Sequence, residues 1–209
     1  MADWYRQKSW SKAEEEYFFS KLARAKKDVR AQYLKIQAIE LVYTKDEKLL
    51  DVAESLIAKL FLEYPDDKFN KLNALVTLGD IYRLRKNYDE AISYYKQAID
   101  FELIFRHESR AYFDYAELVI KHGKYDLYDL VEHLLLKKIP GELFPVLKYK
   151  GYSMLSIINR HKHNMEQAAL FEALADKYAN EETSGLRYHK YLGIVIERDS
   201  ELDKMMSGK

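Results

Sequence analysis

The sequence predicts an all-α fold of antiparallel helix pairs stacked side by side, with a capping helix at each end. Three observations carry that prediction. Only 7 Gly and 3 Pro occur in 209 residues, which suits long helices with short connections and leaves little material for β-turns. Hydrophobic residues make up 48% of the chain and recur at helical spacing, so each segment has one apolar stripe to bury. Small residues return at regular intervals, Gly79 and Ala91 being the clearest pair, and helices that meet at such positions can bring their axes close together.

The first element is a cap, 1–28. Ser11-Lys12-Ala13-Glu14 fits a capping box, in which the serine oxygen accepts from an orphan backbone N–H and the glutamate reaches back to the serine amide. Phe18, Leu22 and Ala25 form its apolar stripe, and Trp4 and Trp10 are placed to cover its exposed end. Helices over 29–42 and 47–64 make the first pair, 29–66. Pro65 ends the second of them, and Asp66 and Asp67 are able to cap the next helix. The central pair, 72–105, places Leu75, Leu78 and Tyr82 on the inner face of its first helix and turns at Lys86-Asn87-Tyr88-Asp89. Gly79 is expected to touch Ala91, with Tyr82 and Tyr95 filling the space around them.

The third pair, 107–138, begins near His107, repeats Gly79 and Tyr88 as Ala116 and Tyr125, and turns at His122-Gly123-Lys124. Tyr128 stands at the position of Ala91, so these helices must separate or rotate. Lys137-Lys138-Ile139-Pro140-Gly141 and Pro145 then interrupt the chain and suggest a bend. In the fourth pair, 143–180, Leu155, Ser156, Ala168 and Ala175 restore the pattern, with a turn at 160–164. Thr183-Ser184 offers a cap for a closing helix, 183–206, in which Leu192-Gly193 repeats Leu78-Gly79 and Ile196 takes the place of Tyr82. The whole chain, 1–209, reads as one continuous domain.

Composition excludes several functions. With no Cys there is no disulfide, thiolate zinc site or cysteine nucleophile. Lys plus Arg and Asp plus Glu both number 34, so overall charge gives no support to nonspecific nucleic-acid binding. No run of about 18 apolar residues occurs and no secretory leader is visible, so no membrane span is expected and the cytoplasm is the expected compartment.

Leu78, Gly79, Tyr82, Ala91, Tyr95 and Ala98 together resemble the packing positions of a tetratricopeptide repeat, and the resemblance extends over 33–205. It implies a right-handed α-solenoid of the kind found in small stand-alone bacterial-type repeat proteins, whose first helices line a concave groove that holds a segment of a partner. The groove positions it implies are Gln32, Lys35 and Tyr43; Asn73, Val76, Asp80, Arg83 and Leu84; Arg110, Phe113, Glu117 and Lys121; Lys150, Ser153, Ile157 and Arg160; and Arg187, Lys190 and Arg198. Basic residues dominate this set, which would favour an acidic partner, while Tyr43 and Phe113 would supply apolar contact. A solvated helix face would carry the same charges without binding anything. The lysine and asparagine clamp of receptors for a terminal carboxylate is not kept, since Val76 and Asp80 stand where it would be.

The resemblance therefore implies non-catalytic binding of a protein or peptide segment. An immunity-type inhibitor of a toxin is the alternative; an enzyme with a non-local active site and an RNA-binding repeat rank below it. His161-Lys162-His163 has no carboxylate or Cys beside it and reads as a surface turn, so no metal or cofactor is expected. No glycine-rich phosphate loop, nucleophile elbow or zinc-protease helix occurs. The 18 tyrosines recur at repeat spacing and read as packing residues, not base-stacking ones. Self-association through Trp4, Trp10 or Met205-Met206 would give a homodimer.

Overall fold

A computed structural model describes residues 3–105 and 108–208. Among the described residues there are ten α-helices, two short 3-10 turns and no strand. They form two compact units, Met1–Ala111 and Tyr112–Lys209.

The first unit holds α1 (Lys12–Arg24), α2 (Lys27–Val42), α3 (Glu47–Glu63), α4 (Lys68–Leu84) and α5 (Tyr88–Phe105). Ser11 closes the capping box of α1: its side chain accepts from the Glu14 amide, and the Glu14 carboxylate accepts from the Ser11 amide at 2.6 Å. The rings of Trp4 and Trp10 each lie 5.4 Å from the buried ring of Phe18. Asp46 caps α3, and Asp67, just beyond Pro65, caps α4 by accepting from the Asn70 amide at 3.0 Å. The helix α2 packs on α3, α4 packs on α5, and α2 also lies against α4. The first helices of the two pairs are thus neighbours, over a core that includes Leu34, Leu41, Ala53, Ile57 and Ile81.

Gly79 faces the ring of Tyr95, one of the two tyrosines expected to fill the space around it. A Cβ added there would lie 2.5 Å from that ring, so the glycine makes room for the tyrosine. Tyr95 is fully buried, and its hydroxyl donates to Asp80 at 2.6 Å. Tyr82 is half-buried, stacks on Tyr94, and donates to Glu54 at 2.6 Å, which pushes its own pKa up to about 12.

The second unit contains α6 (Ala111–Lys121), α7 (Tyr128–Lys138), α8 (Pro145–His161), α9 (Met165–Ala179) and α10 (Ser200–Met206). The predicted start of the third pair near His107 lies outside the described residues. The helix α8 is central, packing on α7, α9 and α10. Ser156 on α8 donates across to the Ala168 carbonyl of α9 at 2.9 Å. Tyr128 is buried, in edge contact with both Tyr125 and His161.

The turns between paired helices share one geometry. Lys45, Lys86, Gly123 and His163 all sit in the left-handed region at φ 59. In the last three turns the next amide reaches back over the helix end, from Asn87 to the Tyr82 carbonyl, Lys124 to Val119 and Asn164 to Asn159, at 2.8–3.0 Å. These bonds satisfy carbonyls that a helix end leaves open.

The closing helix expected over 183–206 is corrected. Residues 181–199 form turns and bends, and helix resumes only as α10. Ser184 starts no helix; its amide donates to the Lys190 carbonyl at 2.7 Å and its hydroxyl to that of His189 at 2.9 Å. Gly193 has φ 74 and lies against the ring of Phe144, and the Val146 amide donates to its carbonyl at 2.8 Å. A glycine followed by Ile194, Val195 and Ile196 is poor helix material, and Ile196 is 93% exposed.

Candidate interaction surface

In the first unit, the groove positions fall on the neighbouring helices α2 and α4. Tyr43, at the end of α2, is 73% exposed, and Gln32 is exposed. Asn73, Val76, Asp80, Arg83 and Leu84 form a half-exposed row along α4. Asp80 is not a free carboxylate: it accepts from Tyr95 and pairs with Arg83 at 3.3 Å, and burial pushes its carboxyl up. Lys35 is 8% exposed, with its ammonium 4.9 Å from the centre of the Phe69 ring, and burial lowers its pKa. It acts as a packed stem capped by a cation–π contact, not as a solvated groove charge.

In the second unit, charge gathers where α6, α8 and the chain after α9 meet. Lys121 on α6 pairs with Glu117 at 3.0 Å, Asp199 at 2.9 Å and Glu201 at 3.4 Å. Lys150 on α8 pairs with Glu117 at 3.2 Å and Asp199 at 3.3 Å. The two ammonium groups therefore face three carboxylates. Burial works against the charge on Lys121, but the bonds to Asp199 and Glu117 outweigh it and hold its pKa above the ordinary lysine value. Burial likewise opposes charge on Asp199, yet the bond from Lys121, the Leu202 amide and the charge of Lys150 bring its carboxyl below the usual value.

Asp199 also caps α10, accepting from the Leu202 amide at 3.2 Å. Tyr149, neighbour of Lys150, donates to Asp203 at 2.9 Å and accepts from the Asp199 amide at 2.9 Å. Burial and then Asp203 push its hydroxyl up to about 12. Leu202 and Met206 are the buried apolar residues of α10, and Gly208 lies beside the Arg160 side chain. Arg198 pairs with Asp203 at 2.7 Å and Asp176 at 2.8 Å, while Arg160 pairs with Glu172 at 3.0 Å.

Of the remaining predicted positions, Phe113 and Ser153 are buried, and Ser153 donates to the Tyr149 carbonyl within its own helix. Ile157 is also buried, and Arg110 is exposed. Arg187 and Lys190 lie in the exposed loop with Tyr188 and Tyr191. Five of the basic groove positions, Arg83, Lys121, Lys150, Arg160 and Arg198, are thus paired with carboxylates within the chain. What sequence reasoning missed was Asp199, Glu201 and Asp203, which no local spacing connects to Lys121 or Lys150.

The ring of His161 stacks on Tyr125 at 4.3 Å. Among the described residues no group of His, Asp and Glu is arranged to hold a metal ion, and no helix is long and apolar enough to cross a membrane. No family model, curated protein or solved structure matches the chain.

Asp199 gives a pH prediction. Its folded pKa is depressed, so its contribution to holding α10 is present at neutral pH and lost as pH falls below the ordinary carboxylate value toward the folded one. Hydrogen-exchange protection over 199–206, corrected for intrinsic rates, should fall on acidification. Asp199→Asn keeps a good helix cap and removes the charge, so it should lower that protection at neutral pH and flatten its acid dependence. Unchanged protection in Asp199→Asn would mean that the ion pairs do not hold the segment.

Proposed function

We propose that the chain is a non-catalytic recognition module, a right-handed solenoid of tetratricopeptide kind that holds a segment of another protein against its first helices. The observation that carries this reading is the shared turn: four connections place a left-handed residue at φ 59, three of them in residues other than glycine. Repetition of a conformation that disfavours side chains points to one supersecondary unit used repeatedly. The side-by-side packing of α2 and α4 supports it, because that packing exposes a row of first-helix side chains. Tyr43 and Val76 would supply apolar contact, and Asn73 and Arg83 would supply polar contact.

The test is affinity capture on the full chain followed by mass spectrometry, with Tyr43→Glu plus Val76→Glu as the comparison. A discrete protein retained by the wild type and lost from the double variant is the expected result. The same proteins on both, or none above control, would contradict the reading.

A further inference from the structure

We propose that the C-terminal segment 199–208 occupies, in cis, a binding surface on α6 and α8 whose other ligand is an acidic amphipathic helix of a partner protein. This rests on the recognition reading above and assigns a partner chemistry to its second unit. The placement of α10 is the first reason. The helix α10 packs on α8, and its cap, Asp199, reaches the Lys121 ammonium of α6. It therefore bridges two first helices. The segment meets α8 at both ends, Asp199 beside Lys150 and Gly208 beside Arg160.

The second reason is charge. With the segment seated, Lys121 and Lys150 meet Glu117, Asp199 and Glu201; lifting it takes away two carboxylates and leaves two ammonium groups against one. At the far end Arg160 adds a buried Nε that has no hydrogen-bond acceptor among the described residues. The vacated surface would be cationic, with an apolar slot where Leu202 and Met206 had been.

The third reason is how the occupant is held. A helix of seven residues does not persist by itself, so α10 depends on its side-chain contacts. No helix connects it to α9, so it can leave without unwinding one. Its chemistry describes its competitor: a capping Asp, an apolar residue three positions later, an acid next to that, and a second apolar residue one turn on, as in Asp199, Leu202, Asp203 and Met206.

A labelled synthetic peptide of residues 197–208 is the probe, with fluorescence anisotropy on the full chain and on Leu202→Ala. Weakening the cis occupant raises the fraction of open surface, so Leu202→Ala should bind the peptide at least about tenfold more tightly than the wild type. Adding Lys121→Glu and Lys150→Glu should abolish that gain. In the wild type, saturating peptide should lower hydrogen-exchange protection over α10 while sparing α8 and α9. Should Leu202→Ala lose helicity, Met206→Ala reads the same competition. Equal affinities, absence of binding, or binding that leaves α10 protected would overturn the proposal. A concentration-dependent wild-type dimer lost in Leu202→Ala would make the occupant a second copy and would also overturn it. If peptide binding fails while capture through Tyr43 and Val76 persists, only the cis competition falls; if both fail, the recognition reading falls with it.

Discussion

Gly79→Ala is expected to destabilise the first unit by about 2 kcal/mol, although glycine to alanine within a helix ordinarily stabilises by about 0.5–1 kcal/mol. The sign reverses because the new methyl would lie 2.5 Å from the Tyr95 ring. That ring cannot swing aside cheaply, since it is fully buried and its hydroxyl is held by Asp80. Urea unfolding measures the loss. In Tyr95→Leu, where the ring is gone, adding Gly79→Ala should cost much less than in the wild type. Additive losses in the double variant would mean that ring and glycine do not compete for the same space.

Leu202→Asp is expected to release the C-terminal segment while α8 and α9 stay folded. Leu202 is 0% exposed, and a carboxylate there would be buried without an opposing charge on the apolar side of a short helix. Arg198 and Lys204 flank it and offer trypsin sites within the segment. Cleavage at these sites should accelerate by about two orders of magnitude or more, with little change in the circular dichroism of the remainder. Slow cleavage in the variant would show that burial of Leu202 is not what holds α10 in place.

Much of the helical architecture was legible in the sequence because its signals are local. Ser11 with Glu14, Pro65 with Asp67, and the turn at His122-Gly123-Lys124 each fix an element end through residues within a few positions. Gly79 was legible as a place of close approach, but spacing alone could not say what approached. The Tyr95 ring lies against the glycine, and Asp80 holds its hydroxyl. Phe113 and Ser153 are buried because α6 and α8 are covered on nearly every side, so a position that would be open on a surface helix is enclosed here.

The last helix was misread for a related reason. Leu192-Gly193 carries the small-residue pattern of Leu78-Gly79, but Gly193 adopts a left-handed φ of 74 against Phe144 and so breaks the helix instead of packing within one. The charge of the site was the least legible part. Lys121 and Lys150 were recognisable as first-helix cations, but Asp199 and Glu201, which neutralise them, arrive from about 50 to 80 positions along the chain. Composition hinted at such matching, since basic and acidic residues are equal in number, without saying which would pair.

The most direct measurement is zero-length carbodiimide cross-linking of the monomer, because it joins ammonium and carboxylate groups only where they touch. Lys162, which contacts Asp129 at 2.5 Å and Glu132 at 2.7 Å, supplies an internal control on an unrelated contact. Cross-links joining Lys121 or Lys150 to Asp199 or Glu201 are the predicted result. Recovery of the Lys162 links without any from Lys121 or Lys150 to the C-terminal segment would contradict it.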